Sequence, residues 1–338
     1  MDNLRIPHSS PWITSDDISA VNAALDSKMI AHGSLSASFE NQCAEYLGMI
    51  KVWSSTSGRA ALKRALRAMH VGVGSEVIVP TYVCDAVAFA ILALGATPVY
   101  ADVGENWCIT ANTVSSVLTS KTAAIVVVHP FGIIADTKSL LQFSVPVIED
   151  CCQCFCPDVG KIGAAAIYSL HATKCLTSAE GGLIATAHPA VQHLLEQSYL
   201  DSPDSVTFSD MQAALAISQL KRYSVMLERR KFIAATYFNG LPPSTTKRLK
   251  EVRGRSIFFR FPLSVTRGFN VYADTFERYG ISVRRGVDQL LHRKHSISDQ
   301  TFPVASELYR CTLSIPIYPS LDDEKVSRII GAATAILA

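Results

Sequence analysis

Between about residues 51 and 150, short apolar runs alternate with helical stretches. This rhythm constrains the fold more than any other feature of the chain. Residues 51–54 read as a strand. Residues 57–70 read as a helix, with Leu62, Leu66 and Met69 on one face and Arg59, Lys63 and Arg67 turned away. Residues 76–79 form a strand, 85–94 a helix and 97–101 a strand. Residues 123–128 are apolar throughout, which marks a strand buried on both faces. Residues 146–150 continue the series. Strand, helix, strand at this spacing predicts an α/β fold, a mostly parallel sheet with helices on both faces. Ligands of such sheets bind beyond the carboxyl ends of the strands. That rule gathers Ser57-Gly58, Pro80-Thr-Tyr82, His129 and Glu149-Asp150 at one edge.

After Gly182 the pattern changes. Residues 208–238 are mostly helical, and Asn239-Gly-Leu-Pro-Pro243 breaks the helix. Residues 257–263 alternate like a half-exposed strand, 273–279 read as a helix, 281–284 as a strand and 324–337 as a final helix. The chain therefore divides into a large domain over 1–220 and a smaller α+β domain over 221–338.

One lysine stands out. Lys174 follows the apolar run that ends at Tyr168-Ser169, on a short polar loop, and Gly181-Gly182 then opens another apolar run. A partly desolvated ammonium loses its proton more easily, and the neutral amine attacks carbonyls. Ser57-Gly58 opens a helix directly after a strand. Its free N–H groups and the helix dipole suit a phosphate, although Ser-Gly is also an ordinary cap. Asp150 ends a buried strand, and a carboxylate there needs a cationic partner, either a structural Arg or Lys or a ligand. A phosphate cradle, a buried carboxylate and a reactive lysine together match what pyridoxal phosphate requires.

The bulk properties set limits. A net charge of +2, with no basic run, gives no electrostatic case for nucleic acid or a membrane surface. The N-terminus lacks the apolar core of a signal peptide, and the most apolar window, residues 86–100, is broken by Gly95 and Pro98. A soluble, cytoplasmic protein is expected. Nine cysteines are present, four of them in Cys151-Cys-Gln-Cys-Phe-Cys156. Adjacent cysteines point apart on an extended chain, and no second CxxC or HxxxH group completes a tetrahedral site. Reduced, buried thiols are expected there rather than a metal.

At these residues the sequence resembles the DegT/DnrJ/EryC1/StrS aminotransferases. The matching segments are Phe39-Glu40 with Tyr46-Leu-Gly48, Ser57-Gly58 with Ala61-Leu62, Val73-Gly-Ser-Glu-Val-Ile-Val-Pro80 and Gly95-Ala-Thr-Pro-Val99. They continue with Phe131-Gly132 and Asp136, Val147-Ile-Glu-Asp150 and Gln153, Ser169 with His171 and Lys174, and Glu180-Gly-Gly182. Gln212-Ala-Ala214 with Gln219-Leu220 and Leu313-Ser-Ile-Pro-Ile-Tyr-Pro319 complete the set. The resemblance implies the aspartate-aminotransferase fold (fold type I) and a homodimer with shared sites. It also implies amination of nucleotide-linked keto sugars, with L-glutamate as amino donor.

Residue by residue, the resemblance implies that Lys174 bonds the cofactor aldehyde and later moves the proton. It implies that Asp150 holds the pyridinium nitrogen and that Gln153 lies near the ring hydroxyl. Ser169, Ser57, Gly58 and the backbone at Arg59 would hold the phosphate. The chain also departs from the family pattern. Arg59 replaces the usual threonine after Ser-Gly. The loop after Pro80 often carries an aromatic ring over the cofactor; here Tyr82 is close, but Cys84 stands next to the expected position. The Gly-x-Asn-Tyr-Arg segment is missing from Asp204-Ser-Val-Thr-Phe-Ser-Asp210, so Ser205 or Thr207 is the candidate for the partner-subunit phosphate contact.

His171, His129 and His292 are candidates for lining a substrate pocket, each with a structural or solvated alternative. The alternatives are an enzyme of the same cofactor acting on a non-sugar ketone, or a dehydratase; a dehydratase of this family carries His in place of the lysine, so Lys174 argues against that branch. A degenerate, non-catalytic relative is argued against by the intact set Lys174, Asp150, Gln153 and Ser169.

Overall fold

The computed structural model describes residues 5–200 and 208–337. Seven strands form the central sheet: β1 (Lys51–Ser55), β2 (Glu76–Pro80), β3 (Thr97–Ala101), β4 (Thr122–Val128), β5 (Val147–Asp150), β6 (Ala165–Ser169) and β7 (Gly182–Thr186). Their spatial order is β1-β7-β6-β5-β4-β2-β3. Neighbours from β6 to β3 pair in parallel, and β7 runs opposite to both β6 and β1. The parallel α/β architecture expected from the strand–helix rhythm is present.

The sheet separates two apolar layers, and period-two alternation assigns residues to them. On β6, Ala165 and Ile167 join one layer, whereas Ala166 and Tyr168 join the other. On β7, Ile184 faces the first layer, and Leu183 and Ala185 face the second. The helix Gly58–Ala68 covers the first layer with Ala61, Leu62, Ala65 and Leu66, and Arg59 on its far side is exposed. The second layer is covered by Ser34–Leu47, through Phe39, Cys43 and Leu47, and by Ala213 and Ala216 of Asp210–Lys221.

Asp210 locks this second layer. Its carboxylate accepts from the N–H groups of Gly33 (2.9 Å), Leu35 (3.2 Å) and Ser36 (2.9 Å) and from Ser36 Oγ (2.7 Å). A carboxylate at the start of helix Ser34–Leu47 satisfies its orphan donors and complements its dipole.

Beyond Asp210 the chain forms helices Asp210–Lys221, Tyr223–Gly240 and Pro243–Val252. A two-stranded antiparallel sheet of β8 (Phe261–Ser264) and β9 (Thr312–Ile315) follows, with helices Phe269–Arg278, Pro303–Cys311 and Asp323–Leu337 around it. Two sequence expectations fail here. Residues 257–263 are not a half-exposed strand: Ile257, Phe258, Phe259, Phe261 and Leu263 are all buried, and only Phe261–Ser264 is extended. Phe258 adopts φ +54°, which ends regular extension. Residues 281–284 form no strand. Ile281 bridges Ile6 and Arg284 bridges Ser314, so the run meets two different partners for one residue each. Among the described residues no helix is long and apolar enough to cross a membrane.

Candidate active site

Strands β1, β5 and β6 end at one edge of the sheet, and β7 begins there. A cavity of about 300 Å³ opens at that edge, between Ser57-Gly58-Arg59, Asp150, Ser169 and Lys174. A larger groove of about 690 Å³ lies between the helices Ser15–Asp26 and Asp210–Lys221. Two of the charged groups lining that groove are already spent on the fold: Asp210 in its cap and Arg222 on the buried Asp17. The chemistry therefore belongs to the smaller cavity.

The phosphate cradle is built by close approach. Ser57 Oγ accepts from Ala60 N (3.1 Å), so its hydroxyl starts the helix and leaves the Gly58 and Arg59 N–H groups without intrahelical acceptors. A Cβ on Gly58 would lie 2.9 Å from Cys152 Sγ and 3.2 Å from Ser169 Cβ. A Cβ on Gly182 would meet the Ser57 carbonyl carbon at 2.4 Å and the Gly58 nitrogen at 2.5 Å. Glycine at both positions is what lets the helix start sit against the ends of β6 and β7.

Asp150 is 5% exposed. Its Oδ1 accepts one hydrogen bond, from Cys152 N (3.0 Å), and no Lys, Arg or His among the described residues reaches it as an ion pair. A buried carboxylate without a cation is costly, so this group waits for a cationic ligand atom. The Cys152 thiol beside it is held well above its usual pKa by burial and then by the Asp150 charge, and it stays neutral.

Lys174 rides on a loop pinned at its base by Leu170 N→Gly181 O (2.9 Å), Ser178 N→Leu170 O (3.0 Å) and Thr177 Oγ1→Leu170 O (3.0 Å). Its Nζ lies 5.3 Å from the centre of the Phe259 ring. Ser169 closes β6 on the cavity wall. Gln153 Oε1 accepts from Phe131 N (2.7 Å), which fixes the amide. At the rim, His171 Nδ1 pairs with Thr173 Oγ1 (2.9 Å), and its Nε2 lies 3.6 Å from Glu180 Oε1.

Gln153 is not itself among the cavity-lining residues, and three further predicted residues lie elsewhere. His129 is fully buried behind the site: its Nδ1 accepts from Ala135 N (3.0 Å), and its Nε2 donates to Glu149 Oε2 (3.2 Å). It does not line the cavity, because strand alternation puts Glu149 on the side opposite Asp150. His292 is also fully buried, between Thr81 Oγ1 (2.7 Å) and Asp299 Oδ1 (2.9 Å), and it stacks on Phe302. Tyr82 does not cover the cavity either. Its ring is packed into the core, edge-on to Phe131 and against Gly286. Cys84, Ala86 and Val87 form that wall instead. Ser205 and Thr207 fall outside the described residues. Cys152, Thr173 and Glu180 line the cavity and were not singled out from sequence. Adjacency to Asp150 and Lys174 was the available signal for the first two.

The residues fit pyridoxal phosphate. Glycine at 58 and 182 lets the helix start, with its free N–H groups, pack at the cavity edge, and Asp150 has a buried charge, not ion-paired among the described residues, that a pyridinium needs.

Comparison with known proteins agrees. The chain is 29% identical to the spore coat polysaccharide biosynthesis protein SpsC of Bacillus subtilis, over 99% of this chain and 98% of that protein. It is 27% identical to a UDP-N-acetyl-3-dehydro-alpha-D-glucosamine 3-aminotransferase of Acidithiobacillus ferrooxidans, over 97% and 95% of the two chains. The fold matches the PLP form of a putative sugar aminotransferase, Spr1654, of Streptococcus pneumoniae, with a TM-score of 0.88, 24% identity and 98% of each chain covered. The DegT/DnrJ/EryC1/StrS aminotransferase profile matches residues 11–334, and the chain belongs to that aminotransferase family.

Proposed function

We propose that this enzyme moves an amino group from an amino-acid donor, L-glutamate, to the keto group of a sugar carried on a nucleotide. The observation that carries the reading is the buried carboxylate of Asp150, not ion-paired among the described residues, in one cavity with Lys174. When bound there, pyridoxal phosphate supplies an aldehyde for amine exchange and an electron-withdrawing ring.

Asp150 would hold the protonated ring nitrogen, and Gln153 would offer its amide N–H groups to the ring hydroxyl. Ser169 and the N–H groups of Gly58 and Arg59 would bind the phosphate, with Arg59 at the mouth. Lys174 Nζ would bond the aldehyde in the resting enzyme and, once displaced, would take and return the proton at the substrate carbon. The keto-sugar substrate is supported by the activity named for the Acidithiobacillus relative.

We further propose a cytoplasmic homodimer with each site completed by the other chain, through Ser205 or Thr207 of the segment before Asp210. A division near residue 220 would separate the cofactor-binding part from a smaller C-terminal part.

The test is half-transamination. Purified holoenzyme is mixed with L-glutamate, and loss of the cofactor's visible absorbance is followed. A nucleotide-linked keto sugar should then restore it. Failure of every amino donor to change the spectrum would overturn the reading.

A further inference from the structure

Beside the cofactor cavity lies a second, smaller one of about 40 Å³, lined by His8, Thr173, Arg230, Phe259, Arg260 and Arg284. The two are neighbours. Thr173 lines both, and the Phe259 ring that walls the small cavity is the ring facing Lys174 Nζ at 5.3 Å. We propose that this arginine cavity is a carboxylate subsite, seating the carboxylate of a substrate while its reacting carbon lies at Lys174. The proposal rests on the aminotransferase reading above.

Charge is the first argument. Three arginines line the cavity, and no carboxylate among the described residues forms an ion pair with any of them. Elsewhere the fold neutralises half-buried arginines: Arg222 with Asp17 (2.5 Å), Arg229 with Asp323 (2.7 Å) and Arg248 with Glu105 (2.5 Å). Arg230 is 4% exposed and Arg260 is partly buried, yet among the described residues their hydrogen bonds go to backbone carbonyls, and Arg260 also lies over the Phe259 ring at 5.8 Å. Arg230 Nη1 donates to Phe258 O, Phe259 O and Ile317 O, and its Nε has no partner among the described residues. Arg260 Nη1 donates to Arg285 O and Gly286 O, both at 3.1 Å.

The imidazole of His8 supplies no anion. His8 donates to or accepts from Ser314 Oγ at 2.9 Å, and its pKa is pushed down to about 3 by burial, then by Arg260 and Arg284, so it is neutral. Arg260 itself is pushed below the usual arginine range by burial and then by Arg284, with Asp288 acting in the opposite direction. An arriving anion would relieve the mutual repulsion of Arg260 and Arg284.

Size is the second argument. The cavity holds about three water-sized atoms. That suits a carboxylate and excludes a sugar ring or a nucleotide. Guanidinium forks match a carboxylate with two parallel bonds. The carboxylate could belong to the amino donor or to an acidic keto sugar, and the test separates them.

The experiment uses holoenzyme and the exposed Arg284, with Arg284→Gln as the main variant and Arg260→Lys as the second. The donor half-reaction is titrated with L-glutamate. The acceptor half-reaction is titrated with a UDP-linked 3-keto-N-acetylglucosamine and with its 6-carboxylate counterpart. In parallel, the rise in Tm caused by maleate, a dicarboxylate that cannot transaminate, is measured. Arg284→Gln should raise the half-saturating concentration of one carboxylate-bearing substrate by about tenfold or more, the loss of one charge-assisted contact. Its limiting rate should change little, the uncharged sugar should be unaffected, and the maleate effect should shrink. An effect on glutamate assigns the subsite to the donor, and one on the sugar acid alone assigns it to the acceptor. Wild-type values in every arm, or an equal loss for both nucleotide sugars, would overturn the subsite. A wild-type enzyme inert to all donors would sink the aminotransferase reading, while the maleate arm would still judge the cavity.

Discussion

Glu149 and Asp150 are consecutive on β5 and almost equally buried, at 1% and 5% exposure, yet the fold treats them in opposite ways. Glu149 is saturated. It accepts from Gly163 N (2.7 Å), Ile162 N (3.0 Å), Gly160 N (3.2 Å), Thr137 Oγ1 (3.0 Å) and His129 Nε2 (3.2 Å). Asp150 receives one N–H and faces a cavity. Donors that fill every lone pair make a carboxylate a girder, here tying the loop at 160–163 to the sheet. Donors left out make it a binding group. The same comparison sorts the histidines: His129 and His292 have both ring nitrogens engaged in the interior, whereas His171 sits at the cavity rim.

Lys174→Ala is the largest expected effect. It should abolish transamination and leave Tm close to wild type, because Lys174 makes no ion pair among the described residues. Borohydride reduction of wild-type holoenzyme, followed by peptide mapping, should put the pyridoxyl label on Lys174. A label elsewhere would remove this residue from its role.

Asp150→Asn should retain cofactor but lose about a hundredfold or more in kcat, because the amide cannot hold a protonated ring nitrogen. Near-normal turnover would place Asp150 with Glu149 as a structural group and break the comparison.

Glu149→Gln should do the reverse. Burial alone would raise this carboxyl's pKa. The hydrogen bonds from His129 and from the Gly163 and Gly160 N–H groups outweigh burial and hold it down to about 2. A depressed carboxylate adds stability that is fully present above its unfolded pKa and is lost as pH falls through the folded one. Wild type should therefore lose on the order of 3 kcal/mol between about pH 4.5 and 2. The variant should be less stable at neutral pH and should lack that part of the acid slope in urea titrations, with kcat nearly unchanged per folded molecule. An unchanged acid slope would show that Glu149 is not the saturated partner described here.

Arg59→Ala is the smallest. An exposed guanidinium at the cavity mouth is screened by solvent. Cofactor affinity should fall only a few-fold, as roughly 1 kcal/mol dictates. The effect should fade at high salt. A much larger loss would mean that Arg59 has taken over the phosphate contact of the missing Asn-Tyr-Arg segment.

Local pattern was enough for much of this molecule. The run at 123–128 is a buried strand wherever it is placed, and β3 falls on the predicted residues 97–101, because period and apolarity are properties of the chain itself. The strand–loop setting of Lys174 and the helix start at Ser57-Gly58 were likewise visible, since each depends on residues within about one turn or strand of the other. Tertiary structure decided what each polar group faces. His292 and its partner Thr81 lie 211 residues apart in sequence, and Tyr82 abuts Gly286, so neither position could be read from its neighbours. The arginine cavity draws on His8, Thr173, Arg230, Arg260 and Arg284, five positions with no shared periodicity. Sequence determines which residues are able to be buried. Which donors meet which acceptors across the interior is decided only when distant segments pack, because a hydrogen bond depends on separation in space and not along the chain.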